Sequence, residues 1–162
     1  MTSRLLLGDG QGALSYGSTL GGAVAGPSGI ASGRLNDDAN LDIVVAKELS
    51  EPPVKIGVFI GHGDGGVRAR GRVRHGRQLR RRSCWRTSTA IASLDVATAD
   101  LFGDTVSVRL GNGDGTFGDL HQTTVPGGPF GMAAGLLDDD DNLDLAVSLY
   151  DESKLATLIG QW

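Results

Sequence analysis

The stretch "RLGNGDGTF" (Arg109–Phe117) decides how the rest of this sequence is read, because its pattern returns along the chain. "LLGDGQGAL" (Leu6–Leu14), "FIGHGDGGV" (Phe59–Val67) and the clipped "TLIGQW" (Thr157–Trp162) have the same form. Their leading glycines, Gly8, Gly61, Gly111 and Gly160, are spaced by 53, 50 and 49 residues. A second motif runs between them in the same phase: "GRLNDDANLDIVVA" (Gly33–Ala46), "SLDVATA" (Ser93–Ala99) and "GLLDDDDNLDLAVS" (Gly135–Ser148). Its aligned aspartates, Asp42, Asp95 and Asp144, are spaced by 53 and 49. A third echo, "GPSGIASG" (Gly26–Gly33) and "GPFGMAAG" (Gly128–Gly135), precedes the acidic loop in the first and last copies.

Each unit reads as four short strands. One precedes the acidic loop, "LDIVVA" or "LDLAVS" follows it, then comes an alternating "VKIGVFIG" or "VSVRLG", and the last follows a glycine-rich hairpin. Period-2 alternation bounded by Gly and Asn/Asp turns is the local signal for strands and hairpins. The 26 glycines and the 5% aromatic content agree with a turn-rich all-β chain. A repeat near 50 residues with four strands per unit is what a β-propeller blade requires. The fold expected is therefore all-β, an incomplete β-propeller of four-stranded blades. Residues 1–20 form the end of one blade, 21–66 a blade, 67–118 a blade disrupted by a basic stretch at 67–93, and 119–162 a partial blade. A propeller closes with about 4 to 8 blades, so about three units read as a fragment of a larger protein. Uncovered strand edges predict self-association through the open blade edges.

These motifs resemble the FG-GAP/VCBS repeats of integrin-α-like β-propellers, in which an acidic loop of the form D-x-[DN]-x-D-G-x-x-D-[LIV] is followed by a strand and a "LGNGDGTF" turn. The resemblance covers nearly the whole chain outside the basic stretch. It implies that the acidic loop binds Ca²⁺ through oxygens at loop positions 1, 3, 5 and 9 and a backbone carbonyl at 7, and hard cations do favour such cages. The implied metal ligands are Asn36, Asp38, Asn40 (carbonyl) and Asp42 in the first copy, and Asp138, Asp140, Asn142 (carbonyl) and Asp144 in the last. Both copies depart from the pattern. Arg34 and Leu136 stand where position 1 calls for aspartate, and Ala39 and Asp141 where position 6 calls for glycine. Fewer anionic ligands mean weaker or partial sites. The middle copy keeps only Asp95, which predicts no binding there.

The resemblance also implies a function: a non-catalytic, calcium-stabilised module, extracellular or at the cell surface, presenting loops for protein or carbohydrate recognition. An accessory propeller of a secreted enzyme is the second reading, because a fold does not fix a function. No catalytic set stands out. His62, His75 and His121 are scattered, and Asp139 and Asp140 recur at the unit period as scaffold would. "GHGDGG" (Gly61–Gly66) matches G-x-G-x-x-G, yet no helix pattern follows and the sister copies break the spacing, so it reads as a hairpin turn.

The basic stretch is "GGVRARGRVRHGRQLRRRSCWRTSTA" (Gly65–Ala90), with nine arginines and no acid inside a chain of net charge −4. Outside Arg68–Arg86, nineteen acidic side chains face six basic ones. The stretch occupies the register of a strand, a turn and an acidic loop. GC-rich codons read one frame away permit "FAPAVEYATADNSV" from Val67 and "LVLADLNGDRQ" from Arg82, both motifs the repeat wants in those places. The leading reading is a frameshift, with no blade structure expected there. A basic arm contacting nucleic-acid phosphates is the less favoured alternative, lacking aromatic interleaving, and a solvated loop is the third.

Cys84 is the only cysteine, so no intrachain disulfide forms. No apolar run approaches the roughly 18 residues of a membrane span, and no signal-peptide core follows Met1. Either the chain is cytosolic as it stands or its native N-terminus lies upstream.

Overall fold

A computed structural model describes residues 3–20, 27–47, 55–74, 85–90 and 93–160. Gly26, His75, the arginines from Arg77 to Arg82, Cys84 and Trp162 lie outside them. The described residues form four antiparallel sheets and no helix. The first pairs β1 (Ser3–Gly8) with β2 (Leu14–Leu20). The second is a meander of β3 (Pro27–Gly33), β4 (Asp42–Lys47), β5 (Lys55–Gly61) and β6 (Val67–Arg74). The third repeats it with β7 (Trp85–Ala90), β8 (Ser93–Asp100), β9 (Thr105–Gly111) and β10 (Phe117–Thr124). The fourth holds β11 (Pro129–Gly135), β12 (Asp144–Leu149) and β13 (Lys154–Leu158). No sheet closes on itself among the described residues.

The strand after each glycine hairpin pairs with the strand before it: Gly61 lies opposite Val67, and Gly111 opposite Phe117. A short hairpin makes its two strands neighbours in one sheet. The second and third sheets accordingly run Pro27–Arg74 and Trp85–Thr124, so β6 stays with the unit before it instead of opening the next.

The frameshift reading of the basic stretch expects no blade structure there, and here the structure differs: the described parts of the stretch, residues 67–74 and 85–90, form β6 and β7. Ladder hydrogen bonds are made by the backbone and ignore side-chain charge. On β6, Val67 and Val73 pack inward while Arg68, Arg70 and Arg72 are exposed, and an outer strand tolerates charge well.

The sheets stack in chain order, the second and third using both faces. Alternation along β4 and β5 sends Ile43, Val45 and Phe59 toward Leu5 of the first sheet. The intervening residues Val44, Ala46, Ile56 and Val58 go to the opposite face, against Val96, Leu94 and Phe117 of the third sheet. Ala97, Val106 and Val108 in turn meet Leu145, Val147 and Leu149 of the fourth. Burying each Val, Ile or Phe contributes about 1.5–3 kcal/mol, so these inter-sheet layers are the core. The opening strands β3, β7 and β11 of successive sheets are neighbours, and β2 neighbours β6, so the sheets are stacked in matching orientation. At the turn end, Asp104 ties the β8–β9 turn to the β10–β11 connection. Its carbonyl accepts from the Val125 amide at 2.7 Å and its Oδ1 from the Gly128 amide at 3.0 Å.

Candidate functional site

The acidic loops span 34–41 between β3 and β4 and 136–143 between β11 and β12, each opening after a glycine that pairs with the aspartate closing it. That aspartate does two things at once. Asp42 is fully buried, and its carboxylate accepts from the Leu35 amide at 2.8 Å and the Gly61 amide at 2.9 Å. Asp144, equally buried, accepts from the Leu137 amide at 2.6 Å and the Gly160 amide at 2.8 Å. Each carboxylate thus clamps the mouth of its loop to the end of the third strand, satisfying two amides in the interior. Two of the leading glycines are explained by the same joint. A Cβ at Gly61 would collide with the Leu41 carbonyl, and one at Gly111 with the Leu94 carbonyl.

Within each loop, every second side chain turns back to cap an amide two residues on, a habit of Asn and Asp. Asn36 Oδ1 accepts from the Asp38 amide at 3.2 Å, and Asp38 Oδ1 from the Asn40 amide at 2.8 Å. In the last loop Asp138 Oδ1 accepts from the Asp140 amide at 3.0 Å, and Asp140 Oδ1 from the Asn142 amide at 2.8 Å. One carboxylate oxygen from each of Asp138, Asp140 and Asp144 then lies within 4.8 Å of the others. The Asn142 side-chain amide, with its backbone N–H, holds the Asp140 carboxyl below the usual carboxylate range. Asp140 is therefore ionised at neutral pH.

Three carboxylates facing one another repel unless a cation joins them. The donors are all oxygen, which fits a hard divalent cation. The set identifies no particular ion. The first loop offers two carboxylates, Asp38 and Asp42, with the Asn36 side-chain amide donating to Asp38 at 2.9 Å, so it is the weaker candidate.

The third sheet has no such loop. β7 and β8 pair from Ala90 opposite Ser93, leaving two residues between them where the other units have eight. Asp95 keeps the clamp to the Gly111 amide at 2.9 Å, and burial pushes its carboxyl up despite that bond.

The G-x-G-x-x-G match is a hairpin joining β5 to β6. Gly63 and Gly65 take φ of 82° and 80°, as Gly113 and Gly115 take 78° and 81° in the sister turn, a backbone that glycine adopts without steric cost. In the three described hairpins the residue after the leading glycine donates its amide across the turn: Asp9 to Ala13, His62 to Gly66 and Asn112 to Thr116. His62 and His121 are exposed, on this turn and on β10.

One connection escapes sequence reasoning altogether. The Gly115 amide donates to the Leu35 carbonyl at 2.6 Å, so the hairpin of the third sheet rests on the acidic loop of the second. Beside it, Arg70 pairs with Asp114 at 3.4 Å, an exposed bridge. Ion pairs of this kind contribute roughly 0–1 kcal/mol. A cleft of about 320 Å³ lined by Ile60, His62, Arg68, Ala69 and Arg70 adjoins this contact.

The described chain is thus a repeat-like all-β protein whose second, third and fourth sheets share a buried aspartate clamp. No protein family, characterised protein or solved structure matches it. No helix among the described residues is long and apolar enough to cross a membrane.

Proposed function

We propose that this chain is a non-catalytic, calcium-stabilised propeller module of the FG-GAP/VCBS type that presents loops to a protein or carbohydrate ligand outside the cell. The observation that carries the reading is the convergence of Asp138, Asp140 and Asp144 within a loop closed by a buried clamp. Sheets stacked in register, with their opening strands adjacent, agree with blades arranged about an axis. The clamp also puts the acidic loops and the glycine hairpins at one end of the stack, where a recognition surface would be built.

Calcium supplies charge neutralisation. The carboxylates of Asp138, Asp140 and Asp144, with the Asn142 carbonyl, hold it and lock the loop. Metal-depleted protein titrated with Ca²⁺ is expected to gain about 2.7 kcal/mol at a hundredfold excess over Kd. For a chain of this length that is a Tm rise of roughly 5–10 °C. Asp140→Ala is expected to abolish the rise while changing the metal-free Tm little, since Asp140 is exposed. No Tm response to millimolar Ca²⁺ defeats the calcium reading.

A further inference from the structure

We propose that the chain binds a second copy of itself head to tail, the free face of its last sheet receiving the free face of its first. The argument rests on the register of the repeat and is independent of calcium.

Aligning Gly160 with Gly61 puts Leu155, Thr157 and Ile159 in the places of Ile56, Val58 and Ile60. In the second sheet that row is the contact with the third: Ile56 is 0% exposed. In the last sheet the same row is open, with Leu155 76% and Ile159 45% exposed. Leu155 and Thr157 pair with Ser148 and Ala146, which hold the places of Ala46 and Val44, so the whole face repeats. Leu137, 48% exposed, likewise holds the place of buried Leu35.

The first sheet shows the complementary half. Aligning Gly8 with Gly61 puts Leu6 and Leu14 in the places of Phe59 and Val67, the row that packs on the sheet before it. Phe59 is 1% exposed, whereas Leu6 is 50% and Leu14 67% exposed. Tyr16, opposite Leu6, widens the patch.

The glycine hairpins give the docking register. Gly65 sits against the Leu7 side chain and Gly115 against the Ile60 side chain, each the residue before the leading glycine of the preceding unit. A Cβ at Gly12, the matching position of the first hairpin, meets nothing. In the head-to-tail pair the Gly12 hairpin of one copy lies over Ile159 of the other, and its Gly12 amide faces the Leu137 carbonyl as Gly115 faces Leu35. Both apolar rows are then covered by the kind of sheet that covers their equivalents inside the chain. Such a contact is heterologous, joining two different patches.

Sedimentation of the full chain up to about 100 μM, above the Kd expected of a specific contact, tests this. Association that grows with concentration is expected. Leu155→Arg and Leu6→Arg should each weaken it at least about tenfold with unchanged circular dichroism, both side chains being exposed in the single copy. Mixing the two variants should restore pairs and nothing larger, because each retains one intact face. A wild-type chain that stays monomeric overturns the proposal. So does association that survives Leu6→Arg, which would mean like faces pair, and so does failure of two folded variants to complement.

Discussion

Replacing Asp42 by Asn changes neither volume nor shape, so any loss of stability isolates the clamp. The carboxylate is fully buried between the Leu35 and Gly61 amides, at 2.8 and 2.9 Å. An amide side chain has one acceptor oxygen and an NH₂ group, so in either orientation one backbone N–H faces another donor. A hydrogen bond to a charged group contributes about 1.5–3 kcal/mol and a stranded buried N–H costs about 1–3 kcal/mol, overlapping quantities that together suggest about 3 kcal/mol. With a urea m-value of roughly 2 kcal/mol/M, the midpoint should fall by about 1.5 M. The assay is urea unfolding in EDTA, with Asp38→Asn as the exposed control, expected within about 0.5 kcal/mol of wild type. Equal midpoints for Asp42→Asn and wild type in EDTA would refute the clamp. A difference appearing only with Ca²⁺ present would make Asp42 a metal ligand first and a clamp second.

Two further outcomes follow from the same joint. Gly61→Ala drives a Cβ into the Leu41 carbonyl and should cost about 2 kcal/mol or more, whereas Gly71→Ala, with nothing near its Cβ, should stabilise β6 by about 0.5–1 kcal/mol; thermal melts of both variants check the contrast. Asp95→Asn keeps the acceptor for the Gly111 amide and removes a carboxyl whose pKa burial raises above 3.8. A raised folded-state pKa favours the native state below the unfolded value, and that contribution is lost as pH rises through the folded pKa. The Asn variant should therefore be more stable than wild type at neutral pH, with the advantage vanishing below about pH 3.8; unfolding across pH 3 to 7 measures it, and a variant less stable than wild type at pH 7 rejects the desolvation argument.

Periodicity is local, and what it governs is legible in the sequence alone. The alternation of "DIVVA" with "KIGVFIG" requires strands with two apolar faces, and Gly63 and Gly65 require a tight turn, because side-chain direction and φ are properties of a residue and its immediate neighbours. The spacing of Asp138, Asp140, Asn142 and Asp144 likewise marks an oxygen-rich loop. The basic stretch misleads as a gap, because composition is a poor guide to a backbone ladder that does not sense it, as β6 demonstrates.

What needs three dimensions is every contact whose partner lies a strand or a unit away. Nothing in "NLDIVV" says that Asp42 reaches 19 residues forward to Gly61, or that Leu35 receives a hydrogen bond from Gly115. Both depend on β4 lying beside β5 and on the second sheet lying against the third. Burial then gives the same residue type different duties: Asp42 and Asp144, shut away from water, accept from backbone amides, and Asp144 also brings a carboxylate oxygen to the cluster that Asp138 and Asp140 complete from the solvent side. A leucine at one register position is core where a following sheet covers it, as at Leu35, and exposed surface where none does, as at Leu137.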